Sequence, residues 1–122
     1  MLLSCDAAHA AHPNHMEFAD GPCAPQLGRG VALKRSPRYS SEAETCAIVQ
    51  GLCEANGIAV QTYMNRADLA GGSTVGSMAS SLLAMPAADV GVPLLAMHSA
   101  CELMGAKDQE GFCRLCEAFY RA

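Results

Sequence analysis

Short apolar runs alternate with capped amphipathic segments along these 122 residues, and that alternation restricts the chain to a sheet with helices packed on it. Met1 to Cys5 reads as the tail of a strand, Asp6 to Gly30 as a loop rich in His, Pro and Gly, and Val31 to Arg35 as a second short strand. Ser41 and Glu44 stand in capping-box spacing ahead of Cys46, Val49, Leu52 and Cys53, and Asn56-Gly57 supplies a left-handed stop. A helix of about four turns fits between them. Ile58 to Met64 alternates and is β-rich, which predicts a strand. Thr74 to Ala84 predicts a short helix of small residues, and Ala88 to Val92 a buried strand ended by Pro93. Ser99 and Glu102 repeat the capping-box spacing and predict the opening of a closing helix, with a break near Gly105 to Asp108. The order is β, β, α, β, α, β, α, an α/β class. Because the chain opens on what reads as the last residues of a core strand, residues 1–122 are expected to be the C-terminal segment of one larger domain. Its missing sheet neighbours would leave an apolar face and an open edge near Met1 to Cys5.

Composition narrows the function. The charge is 8 − 12 = −4, with no run of Lys or Arg, so affinity through phosphates or anionic lipids is not expected. Nucleic acid and membrane partners drop out on that ground. Leu69 to Ala88 is nearly uncharged but broken by Gly71, Gly72, Gly76 and Pro86, which makes it a poor bilayer span. Nor does the N-terminus read as a signal peptide. Seven scattered cysteines are an odd number, and they read as reduced, packing thiols in a cytoplasmic protein.

Few residues could carry chemistry. His9, His12 and His15 follow Asp6 within ten positions, a possible metal cluster, although Pro13 and the Gly/Pro content downstream favour a loop. His98 follows a buried-looking strand, where ligands gather in open α/β sheets. Gly71-Gly72-Ser73-Thr74 precedes a helix, so its N–H groups could receive an anion, without the lysine of a phosphate loop. Cys113 and Cys116 have C-x-x-C spacing but lie in a predicted helix with no second pair, so packing is the preferred reading.

Several of these pieces recur together. Asp6-Ala7-Ala8-His9-Ala10-Ala11-His12-Pro13-Asn14, then Lys34 with Arg38-Tyr39, Asn65-Arg66, Gly71 to Gly76, Asp89-Val90-Gly91-Val92-Pro93 and Met97-His98-Ser99 with Glu102 run in order along the chain. This series resembles the C-terminal part of the aspartyl aminopeptidase family of dinuclear zinc metallopeptidases. The resemblance implies a cytosolic exopeptidase with two zinc ions per complete site, acting on peptides with an acidic N-terminal residue and assembled into large homo-oligomers. It assigns Asp6 and His98 as zinc ligands, and Lys34 and Tyr39 as substrate-pocket residues. His12, Gly72 and Ser73 would lie beside the substrate.

A carboxylate and an imidazole suit zinc, and a dinuclear pair can hold a peptide carbonyl while acidifying a bridging water. In the family, the other ligands and the glutamate general base come from upstream of the segment represented here. No catalytic residue is therefore assigned to this chain, and alone it is expected to be inactive. The other reading is a non-catalytic remnant or interaction protein of the same fold without tight zinc binding.

Overall fold

A computed structural model describes residues 1–122. Strands β1 (Leu2–His9), β2 (Val31–Lys34), β3 (Val60–Tyr63), β4 (Ala87–Leu95) and β5 (Leu103–Met104) form one sheet, with helices α1 (Ala43–Ala55), α2 (Val75–Leu83) and α3 (Ala106–Arg121) against it. The order is β1-β4-β2-β3, with β5 on the end of β4. β1 runs parallel to β4, and β2 parallel to β3. β2 crosses to β4 antiparallel through Ala32↔Gly91 and Leu33↔Val90.

Alternation along the strands divides the sheet into two faces of different chemistry. Val31, Leu33, Ala88 and Val90 turn toward Cys46, Val49 and Cys53 of α1 and Leu115 of α3, which makes the main core. On the other face Ala8, Ala32 and Tyr63 gather with Tyr39 in a smaller cluster. Lys34, Asp89 and Ser4 are also buried.

Four local expectations shift. β1 is an eight-residue strand paired with β4 from Leu2↔Ala87 to His9↔Leu94, so Asp6 to His9 are strand and not loop. Pro93 does not end β4, which continues to Leu95. It lies beyond the two-residue ladder with β2, so no bond of that ladder is lost to its missing N–H. The first capping box sits one residue later than the sequence suggests, with Glu42 at the N-cap and its N–H donating to Thr45 Oγ1 at 3.0 Å. Ser99 and Glu102 open no helix, because Leu103 and Met104 pair back onto Leu95 and Leu94. The Glu102 carboxylate accepts the His98 N–H instead, and Ser99 Oγ accepts from the Cys101 N–H.

The closing helix starts at Ala106, where the buried Asp108 takes the N–H groups of Gly28 and Gly30 at 2.6 and 2.7 Å. Gly30 is required there. Its φ is +107°, and an added Cβ would lie 2.2 Å from the Ala59 carbonyl oxygen.

The two members of the C-x-x-C pair face different surroundings. Cys116 Sγ lies 3.9 Å from Cys5 Sγ, joining α3 to β1, while Cys113 is exposed and receives only Gln109 Nε2. Desolvation between strand and helix, with Cys116 beside it, pushes the Cys5 thiol up to about 12.

Exposed apolar surface concentrates on α2 more than at the β1 edge. Val75, Met78 and Leu82 stand at helical spacing and are 72%, 61% and 85% exposed. No helix is long and apolar enough to cross a membrane.

Candidate functional site

A cavity of about 540 Å³ opens on the α2 face of the sheet, beneath the loops that follow β1, β3 and β4. Asp6, His12, Lys34, Tyr39, Gly72, Ser73 and His98 all line it, together with His9. Ninety-two residues separate Asp6 from His98 in sequence, and the fold closes that gap through the parallel β1–β4 pairing. Asp6 lies inside β1, opposite Gly91, whereas His98 lies in the turn beyond β4.

Gly91 allows this approach. A Cβ there would lie 2.8 Å from the Ala7 carbonyl carbon and 3.0 Å from the Asp6 carbonyl oxygen, inside the backbone of the neighbouring strand. The turn carrying His98 is locally unusual, because Ala96 and His98 both have positive φ, +55° and +69°. Residues held in such conformations cluster at functional sites.

Lys34 is 2% exposed, and its Nζ donates to Asp6 Oδ2 at 2.8 Å. The same ammonium lies 5.2 Å from the centre of the Tyr39 ring. Burial would raise the Asp6 pKa, but the Lys34 hydrogen bond, the Ala7 N–H and the nearby positive charges of Lys34 and His98 outweigh it. The carboxyl is left below its ordinary value. His9 is pushed down by burial first, then by the charges of His98 and Lys34, so it favours the neutral imidazole. Burial raises the Tyr39 phenol. Its hydroxyl donates to Asn65 Oδ1 at 3.0 Å, tying the residue to the loop after β3.

The Gly71 to Thr74 loop also lines the cavity. A Cβ at Gly71 would lie 1.9 Å from the Asn65 amide nitrogen, so any larger residue would push the Asn65 side chain aside. Arg66 grips Asp68 through two bonds of 2.7 Å and also reaches the Glu17 carbonyl, fastening this wall to the short turn at Met16–Phe18.

Sequence reasoning missed Asp89. It is fully buried, and it holds two of the cavity's loops. The available signal was a single carboxylate within the apolar run Ala87 to Leu95.

Asp6 and His98 offer donor types that suit zinc. No group of three or more His, Cys, Asp or Glu side chains gathers at one point.

A carboxylate, imidazoles and a buried ammonium thus gather around one cavity of an α/β sheet. The model of the family described as "Aminopeptidase I zinc metalloprotease (M18)" matches residues 1–120, and the chain belongs to that family. A probable M18 family aminopeptidase 2 of Mycobacterium leprae is 40% identical over 124 residues, covering all of this chain and 29% of the relative. Its counterpart in Stutzerimonas stutzeri is 38% identical over 122 residues, covering 98% of this chain and 28% of the relative. The chain thus spans under a third of the length of these relatives.

Among solved structures, the Ape4 and Nbr1 complex matches with a TM-score of 0.95 at 30% identity, covering 98% of this chain and 23% of that one. An M18 aminopeptidase from Thermotoga maritima matches with a TM-score of 0.84 at 29% identity, over 95% of this chain and 28% of that one. The fold is that of the corresponding part of these aminopeptidases.

Proposed function

We propose that this chain forms the C-terminal part of a zinc aminopeptidase site that removes N-terminal, acidic residues from peptides. The observation that carries the reading is the convergence of Asp6, His98, Lys34 and Tyr39 on one cavity from four separate places in the chain. Membership in a family described as zinc metalloproteases supports it.

In this reading Asp6 and His98 hold metal, as one carboxylate and one imidazole of a two-zinc set. Bound zinc supplies Lewis-acid polarisation and an acidified water. The residues on this chain contribute binding and charge. Lys34, fixed by burial and by Asp6, places an ammonium where an acidic substrate side chain would enter. Tyr39 and Asn65 offer a phenol and an amide beside it, and Gly72 and Ser73 of the adjoining loop would offer N–H groups to the substrate. His12 would lie beside the substrate as a further lining residue. In this reading the general base and the remaining ligands come from outside these 122 residues, so hydrolysis needs those groups. Assembly into homo-oligomers and a cytoplasmic location belong to the same proposal. One solved neighbour is described as a dodecamer, which supports the oligomeric part.

Zinc binding by dialysis and hydrolysis of an N-terminal aspartyl amide test the reading. We expect zinc retention that Asp6→Ala or His98→Ala lowers and Lys34→Ala leaves in place. Hydrolysis is expected only when the upstream portion of an M18 enzyme is supplied, with Lys34→Ala then impairing turnover or acidic preference. Zinc retention indifferent to Asp6 and His98 would contradict the metal assignment. Efficient hydrolysis by the 122 residues alone would contradict the division of labour.

A further inference from the structure

The buried Asp89 carboxylate binds together three segments that the sequence keeps far apart. Oδ2 accepts the Ser40 N–H at 2.7 Å and the Ser40 hydroxyl at 2.8 Å, while Oδ1 accepts the Thr74 hydroxyl at 2.5 Å. Its own N–H donates to Ser41 Oγ at 2.8 Å, and Ser41 bridges to Ala87. Ser40 directly follows Tyr39, and Thr74 ends the Gly71 to Thr74 wall and caps α2. Both walls of the cavity therefore hang on one side chain, itself 0% exposed.

The surroundings suit an ionised carboxylate. α2 begins at Val75, so the positive end of its dipole lies beside Asp89. Gly76 leaves the space, since a Cβ there would lie 2.6 Å from Asp89 Oδ1 and 2.5 Å from Ser4 Oγ. Burial alone would raise this acid. The hydroxyls of Ser4, Thr74 and Ser40 and the Ser40 N–H outweigh it and hold the pKa below the ordinary value.

We infer that Asp89 is the positioning residue of the substrate cavity, setting the Tyr39 loop and the Gly71 to Thr74 loop at a fixed separation through one bidentate acceptor. It touches neither substrate nor metal in this scheme. A second buried carboxylate supplies the contrast. Asp108 holds Gly28 and Gly30 by bonds of similar length, yet neither it nor those glycines line the cavity. The two should be alike as anchors and different in what they anchor. The functional meaning of the inference rests on the proposed peptide cavity, while its geometric content is measured without substrate or zinc.

Amide hydrogen exchange and Tyr39 ring carbon shifts, read by NMR on the 122-residue chain, give the test. In Asp89→Ala the Ser40 amide should exchange on the order of tenfold faster, or more, than core amides such as Leu33 change, and the Tyr39 ring resonances should move. Asp89→Asn should keep Ser40 protected, because an amide oxygen can still accept that N–H while the amide nitrogen donates to the Thr74 hydroxyl. Thr74→Val removes one bond and should loosen Gly72 and Ser73 even if Asp89→Ala fails to fold. Asp108→Ala should release Gly28 and Gly30 while leaving Ser40 and Tyr39 as they were. The inference is overturned if Asp89→Ala leaves Ser40 and Tyr39 unchanged relative to the core, or if Asp108→Ala moves them equally. Because none of these readouts involves zinc or peptide, failure of the peptidase reading would leave this result standing, and the reverse also holds.

Discussion

Lys34 illustrates how the site trades stability for chemistry at the scale of a residue. A buried ammonium has lost its water, and its compensation is one hydrogen bond to a carboxylate that is itself half exposed, plus the face of Tyr39. Replacing Lys34 by Met keeps the length of the side chain and removes the charge, so urea unfolding should find stability unchanged or raised. Asp6→Ala instead strands the ammonium and should cost about 1–3 kcal/mol. Equal effects of the two substitutions would contradict this account. Asp89 gives a pH prediction. Its folded pKa lies below its unfolded one, so its contribution is fully present above about pH 4 and is lost as pH falls through the folded value. Acid unfolding of Asp89→Asn should therefore depend less steeply on pH below about 4 than that of the parent chain. An unchanged slope would show that the carboxylate gains nothing from its partners.

Among the elements, the β1–β4 pair decides whether a site exists, because it carries Asp6 to within reach of the turn holding His98. Gly91→Ala drives a methyl group into the β1 backbone, and a cost on the order of 1–3 kcal/mol is expected with loss of β1 protection in hydrogen exchange. Full protection of β1 in that variant would mean that the approach is less close than described. The same pair shows what could be read in advance. The α1 helix, β2 and β3 were legible because their signals are local: period, caps and β-branched runs. Pro93 and the Ser99/Glu102 pair misled because their outcome is tertiary. Pro93 lies where the β2 ladder has already ended, and Glu102 is drawn to the His98 N–H by the hairpin that Leu103 and Met104 make with β4. The motif that suggests Asp6 as a ligand says nothing of its position inside a strand, which depends on pairing with residues more than eighty positions away. The role of Asp89 was illegible for the same reason, since nothing local shows that Ser40 and Thr74 meet on its carboxylate.

For the whole molecule, the two sheet faces divide the work. The α1 and α3 side holds the continuous apolar core around Leu115, and the α2 side holds the cavity and most of the buried polar groups. Leu115→Ala should destabilise by about 2–5 kcal/mol while leaving the cavity loops as well ordered as before. The α2 stripe of Val75, Met78 and Leu82 should make the isolated chain self-associate as concentration rises. Sedimentation velocity of Met78→Gln with Leu82→Lys should show that association reduced, and association untouched by both changes would place it elsewhere on the surface. The chain belongs to the M18 family and spans under a third of its relatives' length.

Asp6 and His98, brought to one cavity by the β1–β4 pairing, are proposed as donors to one metal centre. Zinc stoichiometry and affinity by equilibrium dialysis, compared across the parent, Asp6→Ala, His98→Ala and the Cys113→Ala/Cys116→Ala double variant, test it directly. Each of the first two substitutions should weaken zinc binding about tenfold or more, with a matching loss of stoichiometry, and the cysteine pair should leave both unchanged. Zinc binding abolished in the cysteine variant and intact in the other two would contradict the claim and move the metal to α3.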